Sequence, residues 1–376
     1  MTERLATLLH QEADGIDVPA PDAMQILGTG RRLRRRRGVV QGAATVAVLA
    51  VALTAGAVAL DRAGNGRASD LPPASAEQLE GWAVASGSTV QLGNGHTVKV
   101  DGKVKSVYYT SAGVLVRTGR EAATDAPDSA YTLVDPDGRR TDFALELGDR
   151  VPSTDPTQPY LVYADATPDP NRWNVIVRDV RTGEVTQTIS VTGAFTWGGW
   201  VAPPVSLDGS HVFVGMDEAT LDVDLTTESV TPSTVLDPSN APNVAGGHEI
   251  METRRGVQRV VDVATGEVLL QMQNEEQLLS FSPDGRHAIE VSYRNCDEAG
   301  TCVFDRPKAT VYNLTTGGHI VIDVQSASYG WTPQGDLLRV TDDAVDVCDA
   351  DTNVCRSTPV EVDGRNLRLG GNSYES

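Results

Sequence analysis

Apolar residues are distributed along this chain in two unlike ways. From Gly38 to Leu60 they form one uncharged run of 23 residues, GVVQGAATVAVLAVALTAGAVAL. Beyond Trp82 they fall into short alternating stretches, such as Val107-Tyr-Tyr, Val114-Leu-Val, Val175-Ile-Val, His211-Val-Phe-Val and Leu337-Leu-Arg-Val, each bounded by turn residues. The first pattern predicts a helix: at 1.5 Å rise per residue it crosses a hydrocarbon core of about 30 Å. The second has period two and no sustained helical period, which predicts strands throughout. Residues 61–80 are rich in Gly, Ala, Ser and Pro and read as a flexible tether. Ahead of the apolar run, residues 2–13 read as a short helix, Val18-Pro-Ala-Pro as a stiff break, and Asp22 onward as a second helix leading into the run.

Six arginines, Arg31, Arg32, Arg34, Arg35, Arg36 and Arg37, stand immediately before the apolar run. A basic flank stays on the cytoplasmic side, so these residues set the topology. The expected organisation is a cytoplasmic tail over 1–37, a transmembrane helix over 38–60, a tether over 61–80 and an extracytoplasmic domain over 81–376, placed on a single-pass protein of the cell membrane. The competing reading is a cleaved export signal, with Ala57-Val58-Ala59 as the cleavage site and Arg31-Arg32-Leu33 as a loose twin-arginine match. The run is long for a signal, and the acidic residues ahead of it are no simple basic lead. An uncleaved signal anchor is therefore the expectation.

The strand-rich part contains a repeat. A turn of the form D-x-x-T-G recurs as Asp179-Val-Arg-Thr-Gly, Asp262-Val-Ala-Thr-Gly and Asn313-Leu-Thr-Thr-Gly, with degenerate copies at Asp135-Pro-Asp-Gly, Asp224-Leu-Thr-Thr-Glu and Asp349-Ala-Asp-Thr-Asn. Successive copies start 44, 45, 38, 51 and 36 residues apart, and Asn94-Gly95 supplies a seventh, 41 residues before Asp135. A second turn precedes several of them, in Phe281-Ser-Pro-Asp-Gly, Val205-Ser-Leu-Asp-Gly and Trp331-Thr-Pro-Gln-Gly. A period near 40–45 with four short strands is that of a propeller blade, with S-P-D-G between inner strands and D-x-x-T-G between outer ones. The fold expected is all-β, a seven-bladed β-propeller, with six blades as the alternative because the Asn94 copy is the weakest. The first blade is short of a strand between Trp82 and Val100, and Val360-Glu-Val with Asn366-Leu-Arg-Leu is placed to complete it.

These turns resemble those of bacterial β-propellers of the WD-repeat-like, TolB-like and quinoprotein-like superfamilies, over about residues 82–370. The resemblance implies an architecture and leaves function open, since such rings host binding proteins, assembly platforms and enzymes. The paired G-H…W-D signature of true WD repeats is missing, since no W-D dipeptide occurs, and so is the tryptophan that quinoprotein repeats place after T-G. No bound quinone, and no other cofactor, is expected. Short tails ahead of a membrane span also invite comparison with anti-sigma factors, but His10 is followed by no cysteine before Cys296, so their zinc signature is absent.

Charge sharpens this picture. The formal net charge is −20, and residues 1–37 carry seven arginines against five acids, so the remainder carries −22. An acidic outer part argues against nucleic acid, whose phosphates need Lys and Arg partners. Only Lys99, Lys103, Lys105 and Lys308 stand beside 27 arginines, a composition of actinobacterial type. The four cysteines, Cys296, Cys302, Cys348 and Cys355, fall in two close couples in the outer part. Spacings of six and seven do not fit a zinc site, and outside the cytoplasm each couple is expected to form a disulfide across its own turn.

Catalytic signatures are scarce. His248-Glu249 begins like H-E-x-x-H but position 252 is Glu, and no G-x-S-x-G elbow occurs. The outer histidines are His96, His211, His248, His287 and His319, four of which follow turns and read as exposed polar residues. Asp349-x-Asp351-x-Asn353 has the spacing that opens a calcium loop but lacks its Gly and distal Glu. Trp197-Gly-Gly-Trp200, near Phe195, is read first as core packing and second as an aromatic grip for a sugar or peptide. The function expected is a ligand- or protein-binding scaffold, with an unknown envelope protein, peptide or glycan as partner and a cytoplasmic partner for the tail. The alternative is an envelope hydrolase or lyase with a dispersed site at the propeller channel.

Overall fold

The computed structural model describes residues 81–371, apart from 122–127, 144, 149, 151, 197–199, 239–240, 254, 275–276, 293–308, 323–328, 342 and 361–366. The arginines of the 31–37 cluster, the 38–60 span, the 61–80 tether and the Cys296/Cys302 couple lie outside the described residues. No helix among the described residues is long and apolar enough to cross a membrane.

The described strands form seven four-stranded antiparallel sheets. Blade 1 combines the strands between Ala83 and Lys99 with Leu367–Leu369; blades 2 to 7 occupy 103–143, 153–192, 205–232, 244–271, 277–322 and 329–359. First strands of neighbouring blades contact one another, as 103–110 does 153–154 and 205–208 does 244–245, so first strands line the centre and fourth strands the rim. Named a to d from the centre outward, the strands place every a–b and c–d turn at one end of the ring. The b–c and d–a connections lie at the other end.

Burial explains why the blades need one another. Inner strands are apolar on both faces, as Tyr160–Ala166 shows with five successive buried residues, whereas the rim strand Cys355–Pro359 is exposed throughout. The buried apolar side chains described here form seven clusters, and each is shared by two neighbouring blades. Tyr163 of blade 3 shares a cluster with Leu115 and Leu133 of blade 2, for example, and Trp331 of blade 7 shares one with Ile289 and Val311 of blade 6. A lone blade would leave both faces wet, which is why such repeats are stable only when stacked.

The repeat turns do what their residues dictate. In Asp262-Val-Ala-Thr-Gly the Asp262 carboxylate accepts the Thr265 amide at 2.7 Å and the Ala264 amide at 3.1 Å. Gly266 then takes φ +76°, the left-handed region that glycine enters without a steric cost. Blades 4 and 7 put Glu228 and Asn353 into the same region, at φ 56° and 55°.

Ring closure settles the blade number at seven. Leu367–Leu369 pairs antiparallel with Val84–Ser86 and supplies strand a of blade 1. Of the Val360-Glu-Val segment expected to share in this, Val360 packs between blades 7 and 1 while 361–362 lie outside the described residues, and the described pairing belongs to Leu367–Leu369. The seam is clamped from blade 2, where the fully buried Tyr109 donates through Oη to the Trp331 carbonyl at 2.8 Å and accepts from the Ala83 amide at 3.1 Å. Trp331 and Ala83 are themselves bridged by Gly370, through Trp331 N–H to Gly370 O at 2.9 Å and Gly370 N–H to Ala83 O at 3.0 Å. A Cβ on Gly370 would overlap the Tyr109 ring.

Candidate functional site

The turn end of the ring carries a chain of polar links from blade to blade. Asp155 Oδ2 accepts the Gly209 amide at 2.6 Å, and Asp208 accepts the Gly246 and Gly247 amides at 2.8 Å each. His248 Nδ1 stands 2.8 Å from Gly285 O, and Arg286 reaches the Gln334 carbonyl while pairing with Asp284. From blade 3 to blade 7 each a–b turn is thus tied to the next. Burial raises the Asp208 carboxyl above its usual range, against the lowering effect of the Gly247 amide, with Asp155 adding like charge. These carboxylates are occupied by backbone donors, so their first role is to fix the ring.

Three histidines occupy equivalent places in this scheme. His211, His248 and His287 each open strand b, directly across from the residue that opens the c–d turn: Asp224, Asp262 and Asn313. The reading of the post-turn histidines as exposed is corrected at His287, which is 5 % exposed. Its Nε2 lies 3.2 Å from Asp351 Oδ1 on blade 7, its ring stacks on Trp331 at 6.5 Å, and its buried Nδ1 has no partner. Nε2 is thus the engaged ring nitrogen, with Asn313 Nδ2 also 3.4 Å from it. The S-x-D-G-x-H spacing at Ser206–His211 and Ser282–His287 carries the signal for this arrangement in the sequence.

Beside His287 the outer strands of blade 6 and the c–d turn of blade 7 enclose a cleft of about 270 Å³. Val311, Ile320 and Ala350 give it apolar walls; Asn313, His319 and Asp351 give it polar ones. Asn313 is fixed in orientation, since its Oδ1 accepts the Thr315 and Thr316 amides at 3.0 and 2.8 Å while its Nδ2 donates to Asp351 Oδ1 at 2.8 Å. His319 packs against Tyr312, ring centroids 5.8 Å apart. Tyr312 in turn donates its hydroxyl to the buried Glu290 at 2.6 Å, so the His319 wall is braced from within.

The turn carrying Asp351 is closed by the Cys348–Cys355 disulfide, as expected from its spacing. The two residues face each other across strands c and d, Cα atoms 3.9 Å apart. Asp349 is a turn-former here: its Oδ1 accepts the Asp351 and Thr352 amides at 3.1 and 2.8 Å. That accounts for the calcium-like spacing without a metal.

Two further residues are positioned by tertiary structure alone. Glu249, 2 % exposed between blades 4 and 5, accepts the Asn243 amide at 3.0 Å, and burial pushes its carboxyl up to about 8. Lys105 is fully buried, its Nζ donating to the Asp128 carbonyl at 2.7 Å. At the opposite end, Phe195 packs edge-on to Trp173 at 5.8 Å, in keeping with core packing; Trp200 is half-buried and Trp197 lies outside the described residues. Among the described residues no cluster of three His, Cys, Asp or Glu could hold a metal ion.

No protein-family model and no curated protein matches the sequence. Three similar solved structures are likenesses of fold at low identity. AztD from Citrobacter koseri is 11% identical with a TM-score of 0.46, covering 78% of this chain and 99% of its own. The Cps50 (Swd1) β-propeller domain of Myceliophteria thermophila is 13% identical at a TM-score of 0.40, covering 69% and 87%. TolB from Acinetobacter baumannii is 12% identical at a TM-score of 0.37, covering 78% and 67%.

Proposed function

We propose that this chain is a membrane-anchored extracytoplasmic scaffold, whose propeller binds a ligand or protein while the tail over 1–37 contacts a cytoplasmic partner. The observation that carries the binding part is the closed seven-bladed ring: its seam is hydrogen-bonded at Tyr109 and Gly370, and its turns are tied blade to blade. A disc fixed in this way presents its connections as a preorganised surface, which is how rigid scaffolds support recognition. The anchoring part is supported by the arginines at 31–37 and the uncharged run at 38–60.

Two experiments test the reading. Protease added to intact spheroplasts should digest the propeller and spare the tail and span; a mature chain beginning near Leu60 would replace the anchor with an exported protein. Cross-linking in native membranes, with tail and propeller as separate baits, should give distinct partners. Turnover in hydrolase or lyase panels, lost on changing one acid at the channel mouth, would transfer the site to catalysis.

A further inference from the structure

We infer that the cleft between blades 6 and 7 is a binding site for a cationic side chain, an arginine or lysine presented by a partner polypeptide. The inference rests on the binding reading above and names the chemistry of one of its sites. Asp351 stands in the cleft wall, and its two oxygens are unequally employed. Oδ1 takes both available donors, Asn313 Nδ2 at 2.8 Å and His287 Nε2 at 3.2 Å. Oδ2 has no partner among the described residues, on a side chain 54% exposed. Because Asn313 and the buried His287 hold one oxygen, the other is presented without a search of rotamers, and a charged donor there makes a strong hydrogen bond.

The rest of the cleft fits the stem that carries such a charge. Val311, Ile320 and Ala350 offer apolar walls to methylene groups, while the His319 ring, braced by Tyr312, offers a flat face on which a guanidinium stacks. No lysine or arginine lines the cleft. Arg286 is close enough to feel the Asp351 charge, but its guanidinium is held by Asp284 and the Gln334 carbonyl. Asp349, on the same turn, adds a second negative charge, and its carboxyl is kept below the usual range by the Thr352 hydroxyl. A domain with this acidic balance steers cationic partners toward itself before contact.

The test uses the full chain in detergent micelles and two near-isosteric probes, one cationic and one neutral: Nα-acetyl-arginine methylamide and its citrulline counterpart. Calorimetry or ligand-observed NMR should show saturable binding of the arginine probe, weakened by salt, with the citrulline probe at least about tenfold weaker, as expected for loss of a charged hydrogen bond. Asp351→Asn preserves the shape of the turn and should bring the arginine probe down to the citrulline level. The comparison of probes on the unaltered chain needs no variant, so it stands even where Asp351→Asn disturbs folding. Equal binding of both probes, no binding of either, or an unchanged affinity in a folded Asp351→Asn would overturn the inference. If partners are still captured from membranes in any of those cases, this site alone falls; if none are captured either, the binding reading falls with it.

Discussion

The seam at blades 7, 1 and 2 and the interface between blades 4 and 5 each bury an ionisable side chain, with opposite consequences. Tyr109 uses its hydroxyl both ways, toward Trp331 O and from Ala83 N–H. Burial raises its pKa further above neutrality, so its protonation state is the same folded and unfolded at any physiological pH. Glu249 accepts one amide, from Asn243, and the same desolvation carries its carboxyl from 4.5 to about 8. At neutral pH the folded ring therefore holds a proton there that the unfolded chain has released. Burying a group that is already neutral fixes geometry; burying a carboxyl makes the interface depend on pH.

The largest effect should come from breaking the seam. Tyr109→Ala removes a buried aromatic and strands a buried amide and a buried carbonyl, a loss of roughly 4 kcal/mol or more in urea unfolding. Tyr109→Phe keeps the ring and strands the same two groups, at about 2 kcal/mol. If the Phe variant matched the parent, ring packing rather than the hydroxyl would be holding the closure.

At blades 4 and 5 the sign is set by proton uptake. Between pH 4.5 and about 8 the folded state binds the Glu249 proton and the unfolded state does not, so stability falls as pH rises and is lowest above about 8. Glu249→Gln can still accept the Asn243 amide and has no proton to lose. Its stability should lie within about 1 kcal/mol of the parent at pH 5 and exceed it by a few kcal/mol at pH 9. Parallel pH profiles for the two proteins would show that Glu249 stays ionised in the fold.

The two regions also differ in how far the sequence announces them. Blade number followed from the spacing of the Asp/Asn-led turns, because the Asx and glycine chemistry of Asp262–Gly266 is local and repeats. The weak copy at Asn94-Gly95 proved to join real strands, Thr89–Leu92 and Thr97–Lys99. The seam strand was legible because blade 1 lacked one strand and the apolar Leu367-Arg-Leu was unassigned. Central strands as short as Ser153–Thr154 and Val244–Ala245 left no period to read. Glu249 looked like half of a failed metal motif, and its burial, at 2 % exposure, comes from the assembled ring and not from any local pattern. The cleft was hidden for the same reason: Asn313, His319 and Asp351 meet only when blade 6 lies beside blade 7.

The c–d turns of blades 7 and 4 extend the contrast, since each departs from the glycine rule and only one is stapled. Removing the Cys348–Cys355 bridge as a Cys→Ser pair should cost about 2 kcal/mol by the chain-entropy model, given the short loop. It should also weaken the arginine probe, because Ala350 and Asp351 lie within the stapled turn. A full loss of stability with unchanged probe affinity would mean that the bridge acts on the unfolded chain alone.

The smallest effect concerns Glu228, which holds φ 56° in blade 4 with no disulfide across its turn. A β-carbon in the left-handed region costs roughly 1 kcal/mol, and glycine escapes that cost while giving back part of it through a freer unfolded chain. Glu228→Gly should therefore stabilise the protein by about 0.5 kcal/mol, resolved as a small shift in urea midpoint at constant slope. Asn353→Gly, at φ 55° inside the stapled turn, should gain less, because asparagine tolerates this region and the bridge already limits the unfolded chain. A larger gain at Asn353 than at Glu228 would show that the disulfide holds blade 7 in a turn it would otherwise leave.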